Sequence, residues 1–229
     1  MSSTDIIPAT QVHDATVIFI HGLGQSSSTW RADVIEPLAP SFPNVEWILP
    51  NAPKRPVTRN NGIERPSWFD IAHLPPHEDE FDQSAIRESI SSVNQMIDAV
   101  VTAGLDSRRI ILIGFSQGAA LSLMASLSTP CSLGGVASLS GWIPHRFRQY
   151  LENQSEDRLP ARILWCHGNA DEDIPLSHGL DGVSFLKTSM KYSEPEKLQV
   201  NVYENLSHTI NEEEIADLGD WLRKVLFNL

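Results

Sequence analysis

Positive charge is scarce in this sequence of 229 residues. Lysine and arginine together number 17, against 29 aspartates and glutamates, so the formal net charge is −12 and the pI is about 5.0. A protein that binds nucleic acid, or adheres permanently to anionic lipid, needs basic patches to meet the phosphates. We therefore expect no nucleic-acid partner and at most transient membrane contact, and we interpret the acidity as a source of solubility.

Cysteines and long apolar runs are also few. The two cysteines, Cys131 and Cys166, lie in apolar stretches. A disulfide framework is not expected from so few, and buried free thiols are the simpler interpretation. The chain has no run of 18 apolar residues, no basic N-terminal region followed by an apolar core, and Ser2 where myristoylation needs glycine. These absences predict a soluble cytoplasmic protein, with the nucleus as an additional location.

Apolar runs typical of buried strands alternate with helical patterns along the chain. Strands are predicted over residues 16–20, 45–49, 110–113, 135–139, 162–166 and 198–203. Helices are predicted over residues 30–38, 82–101, 117–127 and 211–227, and a loop over 51–66, which is rich in proline and asparagine. This alternation predicts an α/β fold with a mostly parallel sheet, helices on both faces, and a single domain over residues 1–229.

The strongest local motif is a G-x-S-x-G pentapeptide where a predicted strand turns into a predicted helix. It reads Gly114-Phe115-Ser116-Gln117-Gly118. In this context Ser116 is expected on a tight, strained turn with its hydroxyl exposed, and the glycines leave room for the neighbouring backbone. The motif predicts that Ser116 is a nucleophile for acyl transfer, with a chance pentapeptide in a loop as the alternative.

A serine hydroxyl is a poor nucleophile without a base. In proteins with this motif, an acid and then a histidine follow the serine in the chain. His208 lies between the last predicted strand and the last predicted helix, which favours it as the base. His167 is interpreted as a packed turn residue, and His145 and His178 as surface residues.

The acid should follow the penultimate predicted strand, where three carboxylates compete. Asp171, Glu172 and Asp173 are consecutive there, and only one can accept the Nδ1 hydrogen of the base. Acyl transfer also needs N–H donors for the oxyanion. The N–H of Gln117 is one candidate, and the N–H of Leu23, in a glycine-rich loop after the first buried strand, is the other.

Several longer segments resemble the acyl-protein thioesterase and lysophospholipase family of small α/β-hydrolases, nearly end to end. Besides the pentapeptide, the resemblance rests on the segments 21–24 (HGLG), 49–53 (LPNAP), 66–70 (PSWFD), 139–144 (LSGWIP) and 166–168 (CHG). The resemblance implies a triad of Ser116, Asp171 and His208, because Asp171 matches the family's His-Gly-x-x-Asp position. Two departures are Gln25, where the family usually has an acidic residue, and Ala119, where it usually has a second glycine.

The resemblance also implies an activity, the cleavage of acyl thioesters and esters. Depalmitoylation of S-acylated cysteines is the leading hypothesis, a carboxylesterase or lysophospholipase acting on small or lipid esters is the alternative, and a non-catalytic binding protein is a third. The acyl chain would lie in an apolar channel, for which Leu74, Trp142, Ile143 and Leu176 are candidates, with a plain core role as the alternative for each. We expect no metal, no cofactor, and a monomer or weak homodimer.

Overall fold

The computed structural model describes residues 3–153 and 161–227. The strands are β1 (Thr4–Ile7), β2 (Ala15–Ile20), β3 (Val45–Pro50), β4 (Lys54–Val57), β5 (Ile63–Pro66), β6 (Ile110–Phe115), β7 (Gly135–Leu139), β8 (Arg162–Gly168) and β9 (Leu198–Tyr203). The helices are α1 (Ser27–Trp30), α2 (Glu36–Leu38), α3 (Gln83–Thr102), α4 (Gln117–Ser128), α5 (His145–Glu152), α6 (Leu176–Thr188) and α7 (Glu212–Phe227).

Seven of the strands form one sheet, in the order β1-β3-β2-β6-β7-β8-β9. Every neighbouring pair is parallel except β1 and β3, which run antiparallel at one edge. The predicted α/β class with a mostly parallel sheet is confirmed. Because the strands are parallel, their carboxyl ends meet at one edge of the sheet, where ligands bind in open α/β folds.

Both faces of the sheet are covered. Ile18, Ile20 and Leu112 belong to a core that includes α3, α4, α5 and α6, whereas Val17 and Phe19 belong to a second core with α1, α2 and α7. Since side chains alternate between the faces and both faces are buried, the central strands appear in the sequence as continuous apolar runs. This is why the six predicted strands are all found, with ends that differ by no more than two residues.

The predicted loop over residues 51–66 is wrong in part. This stretch contains a separate antiparallel hairpin of β4 and β5, with Lys54 opposite Pro66 and Val57 opposite Ile63. Asn61 and Gly62 have φ angles of 54° and 75°, which suit a tight turn. Both strands are largely exposed and lack an apolar pattern, so the backbone pairing leaves no sign in the sequence.

The helix predicted over residues 30–38 is also only partly correct. The helical segment begins earlier, at Ser27, and a wide π-type turn over Arg31–Ile35 separates α1 from α2. Helices α5 and α6 and strand β1 were not predicted. Among the described residues, no helix has the length and apolarity needed to cross a bilayer.

Candidate active site

Ser116 lies at the sharp turn between β6 and α4, at the carboxyl edge of the sheet. Its backbone has φ 54° and ψ −119°, a conformation that non-glycine residues rarely adopt. The strain is held by the surroundings: the Ser116 N–H donates to Leu139 O at 2.9 Å, and the Ser116 carbonyl accepts from Ala120 N at 3.0 Å. Such strained positions are typical of functional sites, and here the turn projects the hydroxyl away from the sheet.

The two glycines of the pentapeptide are required by close backbone approach. A Cβ on Gly114 would overlap with the Gly118 carbonyl, and a Cβ on Gly118 would overlap with the carbonyl of Ile20 on the neighbouring strand. Helix α4 therefore starts directly against β6 and β2, which places its free N-terminal N–H groups beside Ser116.

The structure brings Ser116, His208 and Asp171 together in one hydrogen-bonded chain. Ser116 Oγ lies 2.8 Å from His208 Nε2, and His208 Nδ1 lies 2.7 Å from Asp171 Oδ2. The three residues are separated by 92 and 37 positions along the chain, so only the fold makes them neighbours. His208 also packs against Phe115, with ring centroids 4.9 Å apart.

Asp171 is the carboxylate that faces the histidine, and its side chain is fully buried. Its Oδ1 accepts hydrogen bonds from the N–H groups of Asp173 at 3.0 Å and Ile174 at 2.8 Å. Burial alone would raise the pKa of Asp171, but the hydrogen bonds from His208 and the Ile174 N–H outweigh it and lower that pKa. Asp171 is therefore held as a carboxylate in the orientation that His208 needs.

The other two carboxylates of this loop point elsewhere. Glu172 is exposed, and Asp173 is about half-exposed and lies 3.9 Å from Arg59 Nη2. Neither Glu172 nor Asp173 has a hydrogen bond to His208 among the described residues. The geometry thus agrees with the choice of Asp171 that the family resemblance implies.

The loops that carry Asp171 and His208 are joined by backbone contacts. Ala170 N donates to Leu206 O at 3.0 Å, Asn169 N donates to Tyr203 O at 3.0 Å, and Asn205 N donates to Asn169 Oδ1 at 2.7 Å. Gly168 allows this approach, since a Cβ there would overlap with the carbonyl of Leu206. The distance between acid and base is therefore set by the ends of β8 and β9.

The remaining histidines after Ser116 lie outside this chain of hydrogen bonds. His167 is buried, its Nε2 is 2.7 Å from Ile174 O, and burial lowers its pKa, as expected for a packed turn residue kept neutral. His145 is exposed and His178 is half-buried. Both belong to the wall of a cavity described below.

The two predicted oxyanion donors belong to α4 and to the loop after β2. Gln117 is the first residue of α4, so its N–H has no acceptor within the helix. The N–H of Leu23 has no acceptor among the described residues. The loop that carries Leu23 is close to the serine, because a Cβ on Gly22 would lie 3.3 Å from Ser116 Cβ.

Sequence reasoning missed the residue that shapes the Leu23 loop. Gln25 Oε1 accepts hydrogen bonds from the N–H of Gly22 at 2.9 Å and from Trp30 Nε1 at 3.0 Å. In the sequence, Gln25 was identified only as a departure from the family pattern. The structure shows that its amide oxygen makes both acceptor contacts without placing a negative charge beside the expected oxyanion position.

The side chain of Gln117 was also missed, since the motif directs attention to its N–H. Its Nε2 donates to Phe69 O at 2.7 Å, and its Oε1 accepts from Trp68 N at 3.0 Å. Trp68 Nε1 in turn donates to His21 O at 2.8 Å. The segment 66–70, noted in the sequence only for family resemblance, therefore connects the serine turn to the loop of Leu23.

The four candidate channel residues have different surroundings. Trp142 and Ile143 are buried, and both line a cavity of about 240 Å³. Leu74 and Leu176 are half-buried and are absent from that lining, although their neighbours Pro76 and Ser177 belong to it. The cavity lies between the loop 76–80 and the first turns of α5 and α6.

Comparison with known proteins places this geometry in a family. The model of the phospholipase/carboxylesterase family matches residues 1–226. The acyl-protein thioesterase 1 of Cryptococcus neoformans var. neoformans serotype D is 38% identical over 232 residues, which cover 96% of each chain. The crystal structure of Arabidopsis thaliana SOBER1 is 31% identical with a TM-score of 0.83, over 93% of this chain and 99% of that one.

A second solved structure gives the same result with wider coverage. Acyl-protein thioesterase 2 of Zea mays is 28% identical with a TM-score of 0.83, over 99% of this chain and 100% of that one. The family resemblance predicted from the sequence is confirmed. This chain belongs to the phospholipase/carboxylesterase family of serine hydrolases with the α/β-hydrolase fold.

Proposed function

We propose that this chain hydrolyses acyl thioesters and esters, and that its main substrates are proteins S-acylated on cysteine. The observation that carries the proposal is the continuous hydrogen-bonded chain from Ser116 Oγ through His208 to Asp171, with distances of 2.8 Å and 2.7 Å. A serine, a base and an orienting acid in this geometry suit acyl transfer.

In the first half of the reaction, His208 Nε2 takes the Ser116 proton while Oγ attacks the acyl carbonyl carbon. The N–H groups of Leu23 and Gln117 stabilise the oxyanion of the tetrahedral intermediate. When the carbon–sulfur bond breaks, His208 returns the proton to the leaving thiolate, and the acyl group remains on Ser116. Asp171 accepts the Nδ1 hydrogen throughout and stabilises the imidazolium.

In the second half, water replaces the thiol. His208 takes a proton from the water, whose oxygen attacks the acyl-enzyme carbonyl, and then donates that proton to Ser116 Oγ as the ester bond breaks. The products are a free carboxylic acid and the regenerated serine. Hydrolysis changes no oxidation state, so the cycle needs no redox partner.

The similarity to acyl-protein thioesterases supports the choice of substrate. Two of the candidate acyl-channel residues, Trp142 and Ile143, line the 240 Å³ cavity, whose other lining side chains are mostly polar or charged. We place the enzyme in the cytoplasm, as a single domain that meets membranes only transiently, because its net charge of −12 opposes lasting adhesion to anionic lipid.

A fluorophosphonate probe tests the nucleophile. The probe should label the wild-type chain and fail to label Ser116→Ala. Ser122→Ala is a matched control: Ser122 is buried in α4 and its hydroxyl has no hydrogen-bond partner. Labelling that survives in Ser116→Ala would disprove the assignment.

A substrate panel tests the acyl preference. Kinetics with p-nitrophenyl esters from acetate to palmitate, run beside a palmitoylated peptide, should give kcat/KM values that peak at medium or long chains, with cleavage of the peptide. A steady fall from acetate onward would favour a carboxylesterase for small esters. Cleavage of lysophospholipid in preference to the peptide would favour a lysophospholipase.

A further inference from the structure

The loop between the 66–70 segment and α3 carries a cluster of metal-ligating side chains that the proposed hydrolysis does not use. His73, His77 and Glu80 offer coordinating atoms that all lie within 4.8 Å of one another. It is the one group of three or more histidine, cysteine or acidic side chains with such spacing in the described ranges 3–153 and 161–227.

Both imidazoles turn the same nitrogen towards one carboxylate oxygen. His73 Nδ1 lies 2.5 Å and His77 Nδ1 lies 3.8 Å from Glu80 Oε1. The two rings are stacked, with centroids 3.9 Å apart and an interplanar angle of 6°. Two nitrogen atoms and one oxygen atom are therefore close together in one short stretch of chain, and a ring must rotate out of the stack before both nitrogens can face one ion.

The carboxylate is oriented by the backbone of the same loop. Glu80 Oε2 accepts from Ala72 N at 2.9 Å and from His73 N at 3.2 Å, and Oε1 accepts from His77 N at 3.2 Å. These backbone N–H groups and the hydrogen bond with His73 Nδ1 hold the Glu80 side chain in one orientation. Hydrogen bonds of this kind behind a ligand fix its orientation in metal sites.

We propose that His73 Nδ1, His77 Nδ1 and Glu80 Oε1 form a binding site for Zn²⁺. Two imidazole nitrogens and one carboxylate oxygen are a ligand set that zinc accepts, with water in the fourth position. Zinc would replace the hydrogen bond between His73 and Glu80, releasing the Nδ1 proton. Both histidine side chains are more than half exposed, so the ion has access from solvent.

The site lies apart from the triad but at the wall of the cavity. His77 and Glu80 line the cavity together with Trp142 and Ile143. Bound zinc would join the two ends of the loop 73–80, which also carries Leu74. We therefore expect the ion to hold this cavity wall in place. If the proposed function is correct, zinc binding should change the KM for long-chain esters and leave the KM for acetate esters unchanged.

Zinc binding to the full chain can be measured by isothermal titration calorimetry, without any activity readout. One ion per chain should bind to the wild type. His73→Asn and His77→Asn should each weaken binding by at least about tenfold, and Glu80→Gln by a similar factor. Thermal melts without zinc check that each variant is folded.

Two variants from the same cavity wall serve as matched controls. His145 and His178 also line the cavity but lie outside the cluster, so His145→Asn and His178→Asn should bind zinc as the wild type does. His208→Asn tests for binding at the triad and should leave the affinity unchanged. In histidine ring ¹⁵N spectra, zinc should shift the Nδ1 resonances of His73 and His77.

The proposal fails if His73→Asn and His77→Asn bind zinc as tightly as the wild type. It fails equally if the wild type binds no zinc. Loss of zinc binding in His208→Asn, His145→Asn or His178→Asn would also contradict it. Because these readouts are independent of hydrolysis, they leave the proposed thioesterase activity untouched, and a failed substrate panel would leave the zinc site standing.

Discussion

At the scale of single residues, two buried carboxyl groups have opposite chemistry. Asp171 accepts hydrogen bonds from two backbone N–H groups and from His208 Nδ1, and its pKa is lowered. Glu214, in the first turn of α7, is equally buried, but neither carboxylate oxygen has a partner among the described residues. Burial first, and the charge of Asp217 second, raise the pKa of Glu214 to about 8. Hydrogen-bond donors around Asp171, and their absence around Glu214, therefore explain why the pKa values of these two buried acids shift in opposite directions.

Asp171→Asn should keep the fold and lower kcat by about four orders of magnitude, because an amide can hold His208 in the wrong tautomer. Asp173→Asn is the matched control, since Asp173 is half-exposed and only 3.9 Å from Arg59. It should change kcat by less than about tenfold, with any loss mainly in KM. Steady-state kinetics at about pH 8, above the pKa of about 6.5 of a free imidazole, make the comparison. If Asp173→Asn lost most of its kcat and Asp171→Asn did not, Asp173 rather than Asp171 would be the acid that orients His208.

Glu214→Gln should become progressively more stable than the wild type as pH rises. The raised pKa means that the folded state binds a proton that the unfolded state releases from about pH 4.5 upward. Wild-type stability from this group is therefore complete below pH 4.5 and is lost as pH rises towards 8, by at most about 1.4 kcal/mol per pH unit. Glutamine keeps the shape without the titration.

Urea unfolding at several pH values between 5 and 8 measures this difference. Glu213→Gln is the matched control, because Glu213 is the adjacent residue in the same helical turn and is exposed. Its free energy of unfolding should differ from the wild type by a constant small amount. A Glu214→Gln variant that tracks the wild type across this pH range would contradict the buried, protonated state.

At the scale of elements, the site depends on where strand ends meet. Strands β8 and β9 pair over six positions, from Ile163 with Leu198 to Gly168 with Tyr203. The loops that follow them carry Asp171 and His208. Gly168 lies against the carbonyl of Leu206, so the absence of a side chain at this position lets the two loops come close together.

Gly168→Ala should therefore separate acid and base. The added methyl group has no space against the Leu206 carbonyl, so the loop must shift, and displacement of catalytic groups by about 1 Å can cost about a hundredfold in rate. Gly219→Ala in α7 is the control, because its Cβ would meet only the movable Leu38 side chain at 3.2 Å and that of Arg223 at 3.9 Å. Kinetics and thermal melts of both variants test this, and normal kcat in Gly168→Ala would refute it.

At the scale of the whole molecule, the proposed catalytic chain and the candidate zinc cluster are separate. None of the triad residues belongs to the group of His73, His77 and Glu80. Hydrolysis of p-nitrophenyl acetate should therefore be unchanged after dialysis against EDTA, because the proposed mechanism transfers protons only between Ser116, His208, water and the leaving group, with Asp171 orienting His208. Loss of activity on chelation, restored by added metal, would show that a metal takes part in the reaction.

The sequence by itself predicted the architecture and the sharp turn at Ser116. Central parallel strands are buried on both faces, so their apolar runs are visible in the sequence, and the G-x-S-x-G turn is a local structure whose glycines are needed for local backbone contacts. The exposed β4–β5 hairpin was not predicted, because backbone pairing between polar strands leaves no pattern. Helices α5 and α6 were not predicted either, although α6 has apolar residues at helical spacing, Leu176, Leu180 and Val183.

Only the tertiary structure decided which side chains meet. From the residues alone, Asp171, Glu172 and Asp173 were equivalent, and the family resemblance was needed to choose among them. The choice is visible in the fold because β8 and β9 end side by side and direct Asp171 towards His208, 37 positions away. The amide contacts of Gln25 and Gln117 likewise depend on segments that only folding brings together. Local sequence patterns record burial and turns, whereas hydrogen bonds between distant segments depend on the packing of the whole sheet.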